Sequence, residues 1–245
     1  MPDLDRSPAT EPRTTAGDVL RSLAFYGAFY LGTVFYVLVS LAVLPFSRRA
    51  FTTAVEGWSG FHRACAHHIL RIRVVVEGEI PREGVLVALR HESFFEAIDL
   101  PHLLHRPAVI AKAELLRIPL WGRVGATYGL IGVDRDQGAK ALRAMLGSAR
   151  ALVAEGRVLA IFPEGTRVPH GEARALQSGF AGLYKLLGLA VVPVAIDSGP
   201  LYHRRWKRPG TMHIAFGEPI PAGLPRDEIE ARVAAAIGAL SGPAG

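Results

Sequence analysis

Val85-Leu86-Val87-Ala88-Leu89-Arg90-His91-Glu92-Ser93-Phe94-Phe95-Glu96-Ala97-Ile98-Asp99 is the stretch on which the reading of this chain turns. Its first five residues form a short, unbroken apolar run, as in a strand buried on both faces. In open α/β sheets, reactive groups collect just past the carboxyl ends of such strands. Here a histidine, His91, stands there with Glu92, Glu96 and Asp99. Imidazole titrates near neutrality and can accept a proton at working pH. A carboxylate within reach can hold its tautomer and stabilise the imidazolium that forms. The same letters carry a plainer meaning. Ser93-x-x-Glu96 is also a capping box, in which Glu96 only starts a helix and His91 is a loop residue.

Composition narrows the classes. The chain has 245 residues, of which 50% are hydrophobic, and a net charge of +6. That apolar share points to a membrane segment or an unusually apolar surface. A basic balance attracts nucleic acid, anionic headgroups or phosphorylated small molecules. Nucleic acid is disfavoured, because no basic run is interleaved with aromatics and no Cys/His finger spacing occurs. Cys65 is the only cysteine. It excludes an internal disulfide and reads as a small buried apolar residue.

Residues 1–17 are polar and proline-rich, and are expected to form a disordered tail. From Leu23 to Phe46 the chain carries no formal charge, with arginines at 21, 48 and 49 on either side. A helix of that length spans roughly 36 Å, enough for a hydrocarbon core. Its aromatics, Phe25 to Tyr36, suit an interfacial anchor. Phe51, Ala54, Val55, Trp58, Phe61, Cys65 and Ile69 recur at helical spacing, as an amphipathic helix lying on a bilayer or packed on the next domain. His62, His67 and His68 nearby are expected at the surface or interface. Residues 18–72 thus read as membrane-associated helices and 73–245 as one catalytic domain.

Within that domain, Val74–Val76, Val85–Leu89, Ala108–Ala111, Val158–Phe162, Ala190–Ile196 and Met212–Phe216 read as strands. Gly138–Glu155, Leu176–Leu187 and Pro225–Leu240 read as helices. Pro193 inside its apolar run predicts an edge strand or a bulge. Lys112 ends one strand, where it can meet an anion or simply be a surface lysine. The glycines of 125–132 match no phosphate-loop spacing. Pro163-Glu164-Gly165-Thr166-Arg167 follows a strand at once. Glycine there lets backbone donors approach a ligand, and Arg167 offers a fork suited to phosphate. A turn closed by a Glu164–Arg167 salt bridge is the alternative.

Taken together, His91 with Glu96, Gly132-Val133-Asp134-Arg135, Phe162 to Arg167, and Val191-Val192-Pro193-Val194 resemble the four motifs of the glycerolipid acyltransferases. The resemblance is closest to the 1-acylglycerol-3-phosphate O-acyltransferases, and covers roughly Val74 to Ile220 plus the amino-terminal helices. Glu96 stands where the family more often has aspartate, and Asp99 is the second candidate for that role. The resemblance implies an α/β fold, a mixed β-sheet flanked by helices behind a two-helix membrane motif. It implies that His91 takes the proton of the sn-2 hydroxyl of lysophosphatidic acid, with Glu96 orienting it. The hydroxyl then attacks an acyl thioester of coenzyme A or acyl carrier protein. Lys112, Arg135 and Arg167 would hold phosphate, with Glu164, Gly165 and Thr166 lining the substrate and backbone donors near Gly165 polarising the thioester. No cofactor or metal is implied. The partners are the phospholipid bilayer, the lysolipid and the acyl donor, at the inner membrane with the catalytic domain facing the cytoplasm.

Three other readings compete. One is an acyltransferase for another lysolipid or for glycerol 3-phosphate. A membrane serine hydrolase would need an activated serine, and no G-x-S-x-G occurs. A non-catalytic lipid-binding protein is the third.

Overall fold

The computed structural model describes residues 14–134 and 138–242. The expected tail therefore lies largely outside the described residues. The first helix, α1 (Ala16–Val43), begins before the uncharged run does. Thr15 and Asp18 explain the earlier start. The Thr15 hydroxyl accepts from the Asp18 amide at 3.1 Å, and the Asp18 carboxylate accepts from the Thr15 amide at 2.9 Å. This reciprocal cap satisfies two amides that a helix start leaves orphaned.

A short turn leads to α2 (Arg48–His68), capped by the Ser47 hydroxyl. The two helices pack closely because Gly32 has no side chain. A Cβ there would stand 2.1 Å from the Phe61 ring. Phe25 and Phe29 turn inward and are buried, whereas Leu31, Val34, Phe35 and Leu38 are more than half exposed. By length and composition α1 could cross a membrane, with a mean hydropathy of 1.7 over its most apolar window.

The sheet is built from β1 (Ile72–Glu77), β2 (Val85–Leu89), β3 (Ala108–Lys112), β4 (Leu130–Val133), β5 (Leu159–Ile161), β6 (Ala190–Ile196) and β7 (Gly210–Phe216). Its order is β1-β7-β6-β2-β5-β3-β4. Every pairing is parallel except β6 with β7, so β1 and β7 run against the other five. The connecting helices are α3 (Phe95–Leu103), α4 (Trp121–Tyr128), α5 (Gly138–Ala154), α6 (Ser178–Leu187), the four-residue α7 (Gly199–Tyr202) and α8 (Arg226–Ile237). A 3-10 turn spans Ala113–Arg117.

Two apolar cores lie on the two faces of the sheet. Val87, Leu89, Val192 and Val194 point to one face with Phe25, Phe95 and Leu100; Leu86, Ala88 and Val191 point to the other with Phe180, Ile229 and Val233. Alternation along one strand into two cores is why β2 reads as a continuous apolar run.

Two sequence expectations are corrected. β6 is not an edge strand, since it pairs with β2 along Ala190–Val194 and with β7 along Val194–Ile196, although its antiparallel register slips by one residue between Val194–Phe216 and Val191–Ile220. Proline is accepted there because of strand parity. Val194 O faces β2, accepting from Arg90 N, whereas Pro193 O faces β7, accepting from Gly217 N at 2.8 Å. The missing N–H therefore falls on the β7 side, just beyond Val194–Phe216 at the end of that ladder, and costs β6 none of its bonds to β2. His62 is not a surface histidine. It is fully buried, with Nε2 2.8 Å from the Tyr202 hydroxyl and its ring against Phe29 and Phe95. His67 and His68 are exposed as expected.

Candidate active site

Because β2, β3, β5 and β6 are parallel, the residues that follow them all emerge at one edge of the sheet. The chain places His91 after β2, Lys112 at the end of β3, Pro163–Arg167 after β5 and Ser198 after β6. Gly132 and Val133 end β4 and Asp134 follows it at the same edge, while Arg135 lies outside the described residues.

His91 Nδ1 and Glu96 Oε1 are 3.0 Å apart. The ring stacks on Phe162 at 4.2 Å between centroids. Glu96 is fully buried, and it also accepts from the amides of Glu92 and Ser93, both at 2.6 Å, and from the Ser93 hydroxyl at 2.9 Å. The Ser93 hydroxyl accepts from the Phe95 amide. Glu96 therefore does more than the plainer reading allows: the same carboxylate takes the Ser93 amide at the entry to α3 and holds the imidazole. Burial works against ionisation of Glu96. The hydrogen bond and charge of His91, the Ser93 amide and the Ser198 hydroxyl outweigh it, and the carboxyl lies below its usual range. An anionic Glu96 fixes the proton of His91 on Nδ1, which leaves Nε2 for a substrate.

Asp99 is not the orienter. It is buried facing α2 and paired with Arg63, whose Nε donates at 2.8 Å. Ser93 is not a nucleophile either, since its buried hydroxyl is enclosed by Glu96, Phe95 and Ser198.

Glu164 was expected at the substrate, or paired with Arg167. The structure does neither. Its carboxylate is buried, takes the Arg90 guanidinium, and accepts from the His91 amide at 3.1 Å. Arg90 also donates to the carbonyls of Pro169 and Glu172, and Val168 N donates to His91 O at 2.7 Å. Together these contacts clamp the two loops side by side. Gly165 sits at φ 74, a conformation that favours glycine, and its amide closes the turn on Phe162 O at 3.0 Å. That amide is therefore already engaged and does not face a thioester. Thr166 and Arg167 line the mouth. Arg167 lies 4.2 Å over the Phe94 ring and 3.4 Å from His203 Nδ1. Burial and the Arg167 charge hold His203 below the usual imidazole range, so it meets the guanidinium as a neutral acceptor.

His91, Lys112, Gly165, Thr166 and Arg167 open onto one cleft of about 850 Å³. Its walls are largely apolar. One end runs between α1, α2 and α4, past Tyr36, Val37, Trp58 and Trp121; the other passes under the sheet to Met145 and Phe180. A proton acceptor, cations at the mouth and an oily interior suit a reaction on an amphiphile.

Sequence reading missed Arg90, Ser198 and Tyr202. Arg90 and Ser198 carry only a positional signal, as polar residues just past strand ends that the parallel order brings to this edge, and Tyr202, at the end of α7, carries none.

The acyltransferase family model matches residues 71–197. A 1-acyl-sn-glycerol-3-phosphate acyltransferase of Pseudomonas aeruginosa is 30% identical over 207 residues, 81% of this chain and 79% of that one. A lyso-ornithine lipid O-acyltransferase of the same organism is 30% identical over 247 residues, 89% and 91% of the two chains. Among solved structures, the 1-acyl-sn-glycerophosphate acyltransferase PlsC of Thermotoga maritima shares the fold, with a TM-score of 0.75, 21% identity and coverage of 91% and 96%. With the imidazole–carboxylate pair inside the matched span, this chain belongs to the acyltransferase family.

Proposed function

We propose that the enzyme transfers an acyl group from a thioester to the sn-2 hydroxyl of 1-acylglycerol 3-phosphate, giving phosphatidic acid. The observation that carries this reading is the His91–Glu96 pair opening onto an apolar cleft whose mouth holds Lys112 and Arg167. His91 Nε2 takes the proton of the acceptor hydroxyl as its oxygen bonds to the thioester carbonyl carbon. The carbon–sulfur bond then breaks, and the leaving thiolate recovers the proton from His91. Glu96 stays ionised and stabilises the imidazolium between these steps. Lys112 and Arg167 offer charge-assisted donors to the acceptor phosphate or to the phosphates of the donor's carrier arm. No step needs a cofactor. Coenzyme A or acyl carrier protein delivers the acyl group.

The exposed apolar face of α1 sits in a lipid leaflet, which brings the cleft mouth to the lysolipid. The enzyme works at the inner membrane, with its catalytic domain in the cytoplasm. One further reading has specific support, since the lyso-ornithine lipid O-acyltransferase relative matches more of the chain than the 1-acylglycerol-3-phosphate one. The test is a purified-enzyme assay offering lysophosphatidic acid, lyso-ornithine lipid, other lysolipids and glycerol 3-phosphate, with both thioester donors and products identified by mass. Phosphatidic acid as the main product supports the proposal. Preference for lyso-ornithine lipid refutes it in favour of the second reading.

A further inference from the structure

We propose that Ser198 is a positioning residue of acyl transfer: its buried hydroxyl holds one oxygen of Glu96 so that the other stays on His91. The inference rests on the acyltransferase reading above. Ser198 follows β6 and is far from Glu96 in sequence. Its Oγ nevertheless lies 2.7 Å from Glu96 Oε2 and 2.8 Å from Ser93 Oγ, with no solvent exposure.

Counting protons settles the direction of these bonds. Each hydroxyl has one proton to give. Ser93 Oγ already accepts from the Phe95 amide at 3.0 Å, and lies 2.9 Å from Oε2. The Ser198 proton has two possible acceptors, and the carboxylate is both nearer and charged, so it goes there. Both hydroxyls thus point at Oε2, while His91 Nδ1 and the amides of Glu92 and Ser93 occupy Oε1. A glutamate carboxylate turns about a broad terminal torsion. The extra methylene of Glu96 would let it swing, and anchoring Oε2 removes that freedom.

The anchor is itself held from two sides. The Gly199 amide donates to Glu92 Oε2 at 2.8 Å. Ser198 O accepts from the Tyr202 amide at 2.8 Å, and the Tyr202 hydroxyl meets His62 on α2. Charged and titratable groups surround the pair. Glu164, paired with Arg90, takes the His91 amide, Glu92 is turned to His170, Lys112, His203 and Arg167 stand at the mouth, and Lys207 and Tyr202 lie behind.

Removing the Ser198 hydroxyl takes a donor from the carboxylate and makes it more basic. Glu96 then draws the Nδ1 proton harder, and His91 holds its second proton to higher pH. The full chain, in mixed micelles with lysophosphatidic acid and acyl-CoA, is compared with Ser198→Ala and Ser198→Cys. The cysteine keeps the volume but donates weakly. Both variants should lose roughly tenfold in kcat, keep KM within about twofold, and show the acid limb of kcat/KM moved up by about half a pH unit. Nitrogen NMR of the His91 ring in the same micelles should show the same upward shift without turnover. An unmoved limb and ring titration overturn the proposal, and so does a loss confined to KM. Failure of both variants to fold overturns it too, since it would assign the hydroxyl to the fold alone. A wild-type enzyme that acylates no acceptor sinks the acyl-transfer reading instead, and the ring titration still decides on Ser198.

Discussion

At the scale of single residues, the site separates groups that do chemistry from groups that hold them. His91 is the only imidazole at the cleft that is paired with a buried carboxylate among the described residues. His91→Ala should lower acyl transfer by about 10²- to 10⁴-fold, the usual worth of a general base. Glu96→Gln should lower it by at least tenfold, because a neutral amide no longer stabilises the imidazolium. Asp99→Asn should leave turnover near wild type while costing about 1–3 kcal/mol of thermal stability, because Asp99 secures Arg63 on α2. The reverse pattern would return the orienting role to Asp99. Arg167→Ala should raise the apparent KM for the phosphate-bearing substrate by about tenfold, with a smaller change in kcat. At this scale the sequence was partly legible. His91, Glu96 and Arg167 stand in local motifs that name a chemistry. Glu164 was misread because the motif shows its neighbour Arg167, while its true partner, Arg90, comes from another strand.

At the scale of elements, the strands and long helices were legible because burial sets their periodicity. The long helix α1 was recognised by its uncharged run but misplaced at both ends: a reciprocal cap outweighs polarity and starts it at Ala16, and it stops at Val43, short of Phe46. Pro193 was misread for a different reason. Whether a strand tolerates proline depends on which neighbour its amide would face, and that is a property of the sheet. The α1–α2 hairpin depends on one absent side chain. Gly32→Ala would drive a methyl into the Phe61 ring, and should cost about 1–3 kcal/mol in thermal unfolding. Leu31 and Phe35 on the opposite face are 75% and 60% exposed. Replacing both by Glu should leave the melting temperature in detergent almost unchanged and release the protein from vesicles in a flotation assay. Retention on vesicles would refute the leaflet-bound helix.

At the scale of the whole molecule, the sheet order does what no local motif can. Five parallel strands deliver loops from distant parts of the sequence to one edge, and those pairings carry no local signal. A second large-scale feature is the stretch His203–Arg208, tied to α1 by Tyr26 donating to Arg205 O at 2.6 Å and by Lys207 N donating to Ser22 at 2.8 Å. Its buried member, Lys207, sits 3.8 Å over the Tyr202 ring, and burial pushes its pKa down to about 8. An unfolded lysine titrates near 10.5. Between those values the unfolded chain binds a proton that the folded chain has released, so this group makes stability rise with pH. Below about pH 8 the cost of the buried charge is fully present. Lys207→Met should therefore flatten the pH dependence of the melting temperature between pH 8 and 10, and an unchanged slope would contradict it.

The double duty of Glu96 has a practical corollary for anyone who wants an inert version of this enzyme. Altering the acid would blunt turnover and loosen the start of α3 together, so any loss of lipid phenotype in a cell would have two explanations. Altering the imidazole removes the reagent and leaves the scaffold that seats it, which makes His91→Ala the cleaner silent control.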